Sequence, residues 1–266
     1  MVSNNNLSGL SILVTRPQKA GVLLKQALEE SGADVILFPT IAFAEPPSLD
    51  VLMTGIEALP EQDWIIFVSP YAVQRFVQYT DQYLDRHSLS ARYAAIGDGT
   101  AHALASAGIK QVLHPKSDMT SEGLLSLPEF HAITNQKIAI ARGVSGREML
   151  DRELSARGAH ILPLVLYQRV VPEEDASLLI TFLNQKRIHV ILSASFDSVF
   201  NLCQLVGNHP SLKAVPLVVM SERVKALAAE LGFSTVWVEN VADHERTVHF
   251  LYEKRTQLCQ MNNNKQ

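Results

Sequence analysis

The chain has 266 residues, 47% hydrophobic and 19% charged, with 23 Lys+Arg against 27 Asp+Glu for a formal net charge of -4. That length holds one large domain or two small ones, and the apolar content supplies a sizeable core, which excludes an intrinsically disordered chain. The slight acidic excess has the wrong sign for a protein that works on nucleic acid, so an anionic ligand must meet a local positive pocket.

Short β-type runs alternate with longer helical patterns from the start. Residues 11–15 (SILVT) read as a buried strand, and residues 19–30 follow as a helix with Leu23, Leu24, Ala27 and Leu28 on one face. Gly32 stands where a helix C-terminus favours glycine. Residues 35–38 form the next strand, then 64–68, then a helix from Ala72 to about Tyr83. Residues 93–96 read as a strand, and 100–107 as a helix closed by Gly108. The apolar runs 161–167 and 215–220 have strand length. Strands alternating with helices predict α/β units and parallel sheets.

An internal repeat runs through this pattern. Arg16 and Arg142 lie 126 positions apart, as do Gly32 and Gly158, Leu24 and Leu150, Leu28 and Leu154, and Ala33 and Ala159. The same offset relates Ile65 to Ile191, Ser69 to Ser195 and Val73 to Val199. With a small shift, residues 101–108 (AHALASAG) resemble 225–232 (KALAAELG). General likeness among β-loop-α units is the plain alternative, but one offset shared by separate blocks favours duplication. Two similar α/β halves would leave a cleft between them, a favoured place for a ligand. The extended runs 38–45 and 164–171, each followed by proline, are also related by 126 and suit connectors. The polar tail beyond about Tyr252 is expected to fray.

Two cysteines, Cys203 and Cys259, cannot build a disulfide framework and suit a reduced, cytoplasmic protein. Residues 1–6 are polar and lack the basic-then-apolar order of a signal peptide. No apolar run approaches ~18 residues, so no membrane association is expected.

The strand-to-helix turns carry hydroxyls, glycines and arginines: Thr15-Arg16-Pro17, Ser69-Pro70, Gly97-Asp98-Gly99-Thr100, Arg142-Gly143 through Gly146-Arg147, Ser193-Ala194-Ser195 and Ser221-Glu222-Arg223. In open α/β sheets ligands bind at this end of the strands, where helix N-termini offer free N–H groups to carboxylates or phosphates. Helix capping is the favoured explanation of any single such turn, and it is six of them around one cleft that point to ligand contact. In the Arg142–Arg147 turn, two arginines flank two glycines and could hold a carboxylate, with pairing of Arg147 to Glu148 or Asp151 as the structural alternative. This turn has neither the Gly-Lys-Ser/Thr of a nucleotide loop nor the length of a dinucleotide fingerprint. Tyr167, on the second connector, could present a proton donor to a cleft; otherwise it is an amphipathic strand residue with a wet tip. The nine histidines show no metal-ligand spacing, and no Gly-x-Ser-x-Gly elbow occurs.

The ordered set of turns resembles the uroporphyrinogen-III synthase family. The residues that carry it are Val14-Thr15-Arg16-Pro17; Phe67-Val68-Ser69-Pro70-Tyr71-Ala72-Val73; Ala95-Ile96-Gly97-Asp98-Gly99-Thr100-Ala101; Ser121-Glu122-Gly123-Leu124-Leu125; Arg142-Gly143 with Gly146-Arg147; Tyr167-Gln168-Arg169; and Ser221-Glu222-Arg223. Together they cover residues 11–250. The resemblance implies two flavodoxin-like parallel-sheet α/β domains joined by a two-stranded β-ladder. Residues 1–38 and 171–266 would form one domain, residues 45–163 the other, and 39–44 and 164–170 the linker strands.

The implied reaction is cyclisation of the linear tetrapyrrole hydroxymethylbilane, with loss of water and inversion of the last ring through a spiro intermediate. No cofactor or metal is implied. The resemblance makes Tyr167 the residue that assists loss of the hydroxyl. It places substrate contacts at Thr15, Arg16, Ser69, Gly97, Thr100, Ser121, Arg142, Gly143, Gly146, Arg147, Ser193, Ser195 and Ser221. The expected partner is this small molecule, not nucleic acid or membrane. A monomer is expected, with transient contact with the upstream deaminase. The sequence departs from the family pattern at Val68, Tyr71, Asp98 and Ala194, which puts individual contacts in question. A non-catalytic two-lobed sensor that binds a tetrapyrrole or another anion is the alternative. A phosphate-handling enzyme would need a lysine-containing glycine loop, and none is present.

Overall fold

The computed structural model describes residues 6–85, 88–144 and 149–263. The chain divides into two compact units, one formed by Met1–Ala42 with Val170–Gln266 and the other by Phe43–Arg169.

The first unit opens with β1 (Ser11–Val14), α1 (Gln18–Glu30) and β2 (Asp34–Leu37). The chain then runs through β3 (Ala42–Ala44), α2 (Leu49–Glu57), β4 (Trp64–Phe67), α3 (Pro70–Tyr83), β5 (Arg92–Ala95), α4 (Asp98–Ser106) and β6 (Val112–Leu113). It continues with α5 (Ser121–Leu125), β7 (Lys137–Gly143), α6 (Met149–Ala156) and the long β8 (His160–Val170). Back in the first unit come α7 (Ser177–Asn184), β9 (Val190–Leu192), α8 (Phe196–Leu205), α9 (Pro210–Lys213) and β10 (Leu217–Val219). The chain ends with α10 (Glu222–Glu230), β11 (Val236–Val238) and α11 (His244–Asn263).

The first unit holds a five-stranded sheet in the order β11-β10-β9-β1-β2, and the second a six-stranded sheet in the order β3-β8-β7-β4-β5-β6. The registered pairs between core strands are parallel. The central strands are buried along their whole length, as at Trp64–Phe67, Val190–Leu192 and Leu217–Val219. Helices covering both faces of a parallel sheet make such uninterrupted apolar runs the low-energy choice.

The 126-residue offset is visible in the fold. Strands β1 and β7 start at Ser11 and Lys137, β2 and β8 at Asp34 and His160, and β4 and β9 at Trp64 and Val190. Matched this way, and with β5 to β10 and β6 to β11, the five-strand orders coincide. Both units are wound 2-1-3-4-5, as in flavodoxin-like folds, and the second is entered at its third strand. Gly32 and Gly158 have φ of 90° and 87°, the left-handed conformation that closes α1 and α6 and that only glycine adopts without cost.

Two expectations change. Leu23 is 55% exposed, because the buried stripe of α1 runs through Gly21, Leu24 and Leu28 and Leu23 falls to the solvent side of it. The tail does not fray at Tyr252: α11 extends to Asn263, with Leu251 and Leu258 buried in the core of the first unit. Among the described residues no helix is long and apolar enough to cross a membrane.

Candidate active site

The carboxyl ends of β4, β7 and β8 open onto a cleft of about 440 Å³ within the second unit. Ser69 follows β4 directly and caps α3, its Oγ accepting from the Ala72 N–H at 3.1 Å. The same oxygen lies 3.2 Å from the Tyr167 hydroxyl. Tyr167 is 3% exposed, so its ring is sealed and only its polar end reaches the cleft wall. Tyr71 meets the Tyr167 ring edge-on at 4.8 Å and Phe43 does so at 5.4 Å, while Phe43 and Tyr71 stack at 4.0 Å. Burial pushes the Tyr71 phenol above its ordinary value, which keeps it neutral beside its aromatic neighbours.

A register shift sets this arrangement. Arg142 pairs with Val165, but Gly143 pairs with Tyr167, so β8 carries one extra residue there. Leu166 and Tyr167 are both buried in one core cluster, where strict alternation would send them to opposite faces. Gly143 leaves the space: a Cβ on it would lie 2.6 Å from Tyr167 Cε2.

Arg142 reaches the cleft from the end of β7. Its Nη2 lies 2.9 Å from Asp151 Oδ2 on α6, which tethers the guanidinium. Its Nε and Nη1 are buried and have no hydrogen-bond partner among the described residues. A buried unpaired donor costs about 1–3 kcal/mol, so this guanidinium has capacity for further acceptors. Arg169, exposed at the end of β8, lines the same cleft and adds a second cation. The sequence pattern contains Arg169, but nothing in its spacing assigned it a role.

Ser121 and Gly143 also line this cleft. Ser121 is the first residue of α5, and the cap is its neighbour Thr120, which accepts from Gly123 N at 3.1 Å. Gly97 caps α4 and touches the cleft through Met119, whose Cβ would be 3.1 Å from a Cβ at position 97. Thr100 is buried within α4 and does not line the cleft. Gly146 and Arg147 lie outside the described residues.

The remaining candidates belong to the first unit. Thr15 is fully buried, with Oγ1 donating to Leu192 O at 3.2 Å and lying 2.8 Å from Ser198 Oγ. Thr40 closes the same hydroxyl cluster, 2.7 Å from Ser198 Oγ. Arg16 donates from Nη1 to Val241 O at 2.9 Å, and its Nε is buried without a partner. Burial pushes the Arg16 guanidinium below its ordinary pKa. Ser193 is fully buried, whereas Ser195 and Ser221 cap α8 and α10. Thr15 and Ser193 are thus sealed inside: Thr15 joins the hydroxyl cluster, and Ser193 Oγ reaches the Ser195 carbonyl at 3.5 Å.

The family model described as uroporphyrinogen-III synthase HemD matches residues 23–249. The chain belongs to the uroporphyrinogen-III synthase family. The uroporphyrinogen-III synthase of Escherichia coli (strain K12) is 31% identical over 245 residues, covering 91% of this chain and 100% of that one. The corresponding Salmonella typhimurium enzyme is 31% identical over 250 residues, with 91% and 100% covered. A crystal structure of a mutant uroporphyrinogen III synthase from the extremely thermophilic bacterium Thermus thermophilus superposes with a TM-score of 0.63 at 20% identity, covering 93% of this chain and 99% of that one. A uroporphyrinogen-III synthetase from Helicobacter pylori gives 0.61 at 12% identity, with 92% and 99% covered. These two likenesses show the fold.

Within a uroporphyrinogen-III synthase, the unusual Asp98 at the start of α4 has a local partner. His114 Nδ1 lies 3.2 Å from Asp98 Oδ1, and Lys116 Nζ lies 3.1 Å from His114 Nε2. A polar chain running from the acid to a cation offsets the negative charge that Asp98 brings to the turn. The other departure, Tyr71, is one wall of the Tyr167 seat.

Proposed function

We propose that this chain cyclises hydroxymethylbilane to uroporphyrinogen III with release of water, as a lyase acting as a monomer in the cytoplasm. The observation that carries this reading is the Tyr167 hydroxyl, held by Ser69 on the wall of a cleft that Arg142 also lines with unpartnered donors. The substrate's carboxylates supply the acceptors that Arg142 lacks, and Arg169 offers a second cation from the same wall. Planar guanidinium forks match carboxylates in pairs of hydrogen bonds, so they fix orientation as well as charge.

In this reading Tyr167 donates a hydrogen bond to the hydroxyl that leaves. The electron-rich pyrrole expels that hydroxyl readily on its own, so the phenol supplies part of the rate. One hydrogen bond to a charging group is worth about 1.5–3 kcal/mol, or about ten- to a hundredfold. The larger task is geometric. Unassisted closure gives the unrearranged isomer, so the protein must hold the reacting ends in the arrangement that inverts the last ring.

The test supplies hydroxymethylbilane from a coupled deaminase, oxidises the products and separates isomers III and I. Isomer III is expected. Isomer I alone, at the uncatalysed rate, would overturn the reading.

A further inference from the structure

Ser69 and Ser195 occupy the same place in the two units, 126 residues apart, and both cap the helix that follows. Ser69 Oγ accepts from Ala72 N and Ser195 Oγ from Ser198 N. The residue related to Tyr167 by the same offset is Ile41, a buried aliphatic side chain. The capping role is therefore common to both serines, and the contact with a phenol belongs to Ser69 alone.

Either hydroxyl can donate in that contact, and the direction decides what the contact does. A serine hydroxyl has one donor and two acceptor positions. The Ala72 N–H takes one acceptor position, and the Tyr167 oxygen at 3.2 Å is the remaining hydrogen-bond partner of Ser69 Oγ among the described residues. If Tyr167 donates to Ser69, the serine accepts twice, its own proton faces the cleft, and the phenol proton is spent on the serine. With Ser69 donating, the phenol proton is directed away from the serine, which is the arrangement that proton donation by Tyr167 to a ligand requires. The ring cannot swing to change this, because Phe43 and Tyr71 flank it and the space over Gly143 is filled by the ring itself. Rotation of the phenol O–H about its C–O bond is the freedom that remains. The Ser69 proton claims one side of the oxygen in the ring plane, so the Tyr167 proton takes the other.

We propose that Ser69 is a positioning residue for the reaction: by donating to Tyr167 it turns the phenol proton into the cleft, toward the leaving hydroxyl. This rests on the reading that Tyr167 meets that hydroxyl. In the step it serves, the carbon–oxygen bond of the hydroxymethyl group breaks and its electron pair leaves with oxygen. That oxygen takes the Tyr167 proton and departs as water, while the pyrrole nitrogen lone pair satisfies the carbon left behind. The phenolate regains a proton when the closing pyrrole carbon gives one up to restore aromaticity. Ser69 keeps its own proton throughout.

The experiment is a double-mutant cycle in the intact protein, with kcat and KM for isomer III read separately. Ser69→Ala is expected to lower kcat about tenfold, the value of one oriented hydrogen bond, with KM within about twofold. Ser69→Thr keeps both the hydroxyl and a good cap and is expected to restore kcat. In the Tyr167→Phe background, Ser69→Ala is expected to cost no further rate. Loss of the cap lowers the melting temperature as well, and Ser195→Ala, read by melting alone, calibrates that loss. If Tyr167→Phe is slow but Ser69→Ala costs the same factor in both backgrounds, the proposal fails and the phenol's role stands. If Tyr167→Phe retains the full wild-type rate, the phenol's role fails and the proposal falls with it.

Discussion

The ring of Tyr167 fills the space that a side chain on residue 143 would need: a Cβ built on Gly143 comes within 2.6 Å of Cε2 and 2.9 Å of Cζ. The ring is itself held by Phe43 and Tyr71, so it cannot yield without disturbing both. Gly143→Ala is therefore expected to displace the phenol and lower kcat by more than about tenfold. The cost to stability should be about 1–3 kcal/mol, typical of overpacking. Coupled isomer assays and urea denaturation check the two effects separately, and an unchanged kcat would show that the ring position is not needed.

Arg142 bonds Asp151 through one nitrogen and, among the described residues, keeps two donors unpaired. Arg142→Met is expected to raise KM about ten- to a hundredfold, by loss of charge-assisted bonds to a substrate carboxylate. Arg142→Lys should recover little of this, because a point charge cannot reproduce the fork while tethered to Asp151. Saturation kinetics read the effect. A KM within twofold of wild type for Arg142→Met would remove the residue from substrate binding.

Glu45, just past β3, bonds both Tyr79 and Arg75 on α3, and Arg75 also bonds Tyr79. The hydrogen bond from Tyr79, then the hydrogen bond and charge of Arg75, hold the Glu45 carboxyl below its ordinary value of 4.5. Burial, then the bond to Glu45, pushes the Tyr79 phenol up to about 12. The signs are opposite for the two groups. The Glu45 contribution is present above 4.5 and is lost as the pH falls through the lowered folded value. The Tyr79 contribution is present below its ordinary 10.0 and is lost as the pH rises toward about 12. Melting curves of wild type and Glu45→Gln should therefore differ by a constant amount near neutrality and converge on acidification. A gap that persists well below pH 4 would refute this linkage.

Leu258 is 1% exposed on the last helix, and Arg255 donates to Ser8 O from Nη2 at 2.6 Å and from Nε at 3.1 Å. Leu258→Ala is expected to destabilise the first unit by about 2–5 kcal/mol, as for other buried leucines. Deleting residues 254–266 should do at least as much. A urea midpoint that does not move in either variant would mean the helix is dispensable.

The two sheets were legible because parallel strands covered on both faces leave apolar runs that are hard to miss, and the offset of Arg16 and Gly32 from Arg142 and Gly158 exposed the repeat. Helix α11 was hidden for the opposite reason. Its buried Leu251 and Leu258 stand seven residues apart among polar neighbours, a stripe too thin to outweigh the composition. In the site, Ser69, Arg142 and Tyr167 were visible as turn and connector residues with chemistry to offer. Which way a turn hydroxyl points was not visible: Thr15 and Ser193 read like Ser69, yet both are sealed inside. Asp151 was in view as a partner for Arg147, and the structure pairs it with Arg142; the seat made by Phe43 and Tyr71 depends on packing between elements distant in sequence, which no spacing rule encodes. Arg169 stood in the pattern from the start, but its place on the cleft wall required the register of β8.

The order in which the chain leaves the ribosome gives the two units different histories. Phe43–Arg169 is one continuous stretch, so every strand that the phenol's seat depends on has been delivered before the other sheet is complete. In that other sheet β1 lies between β2 and β9, and Leu13 must wait for Ile191. Domains generally fold as units during synthesis. The half carrying Tyr167 can therefore mature alone, while β1 stays unpaired on one side until β9 has been made.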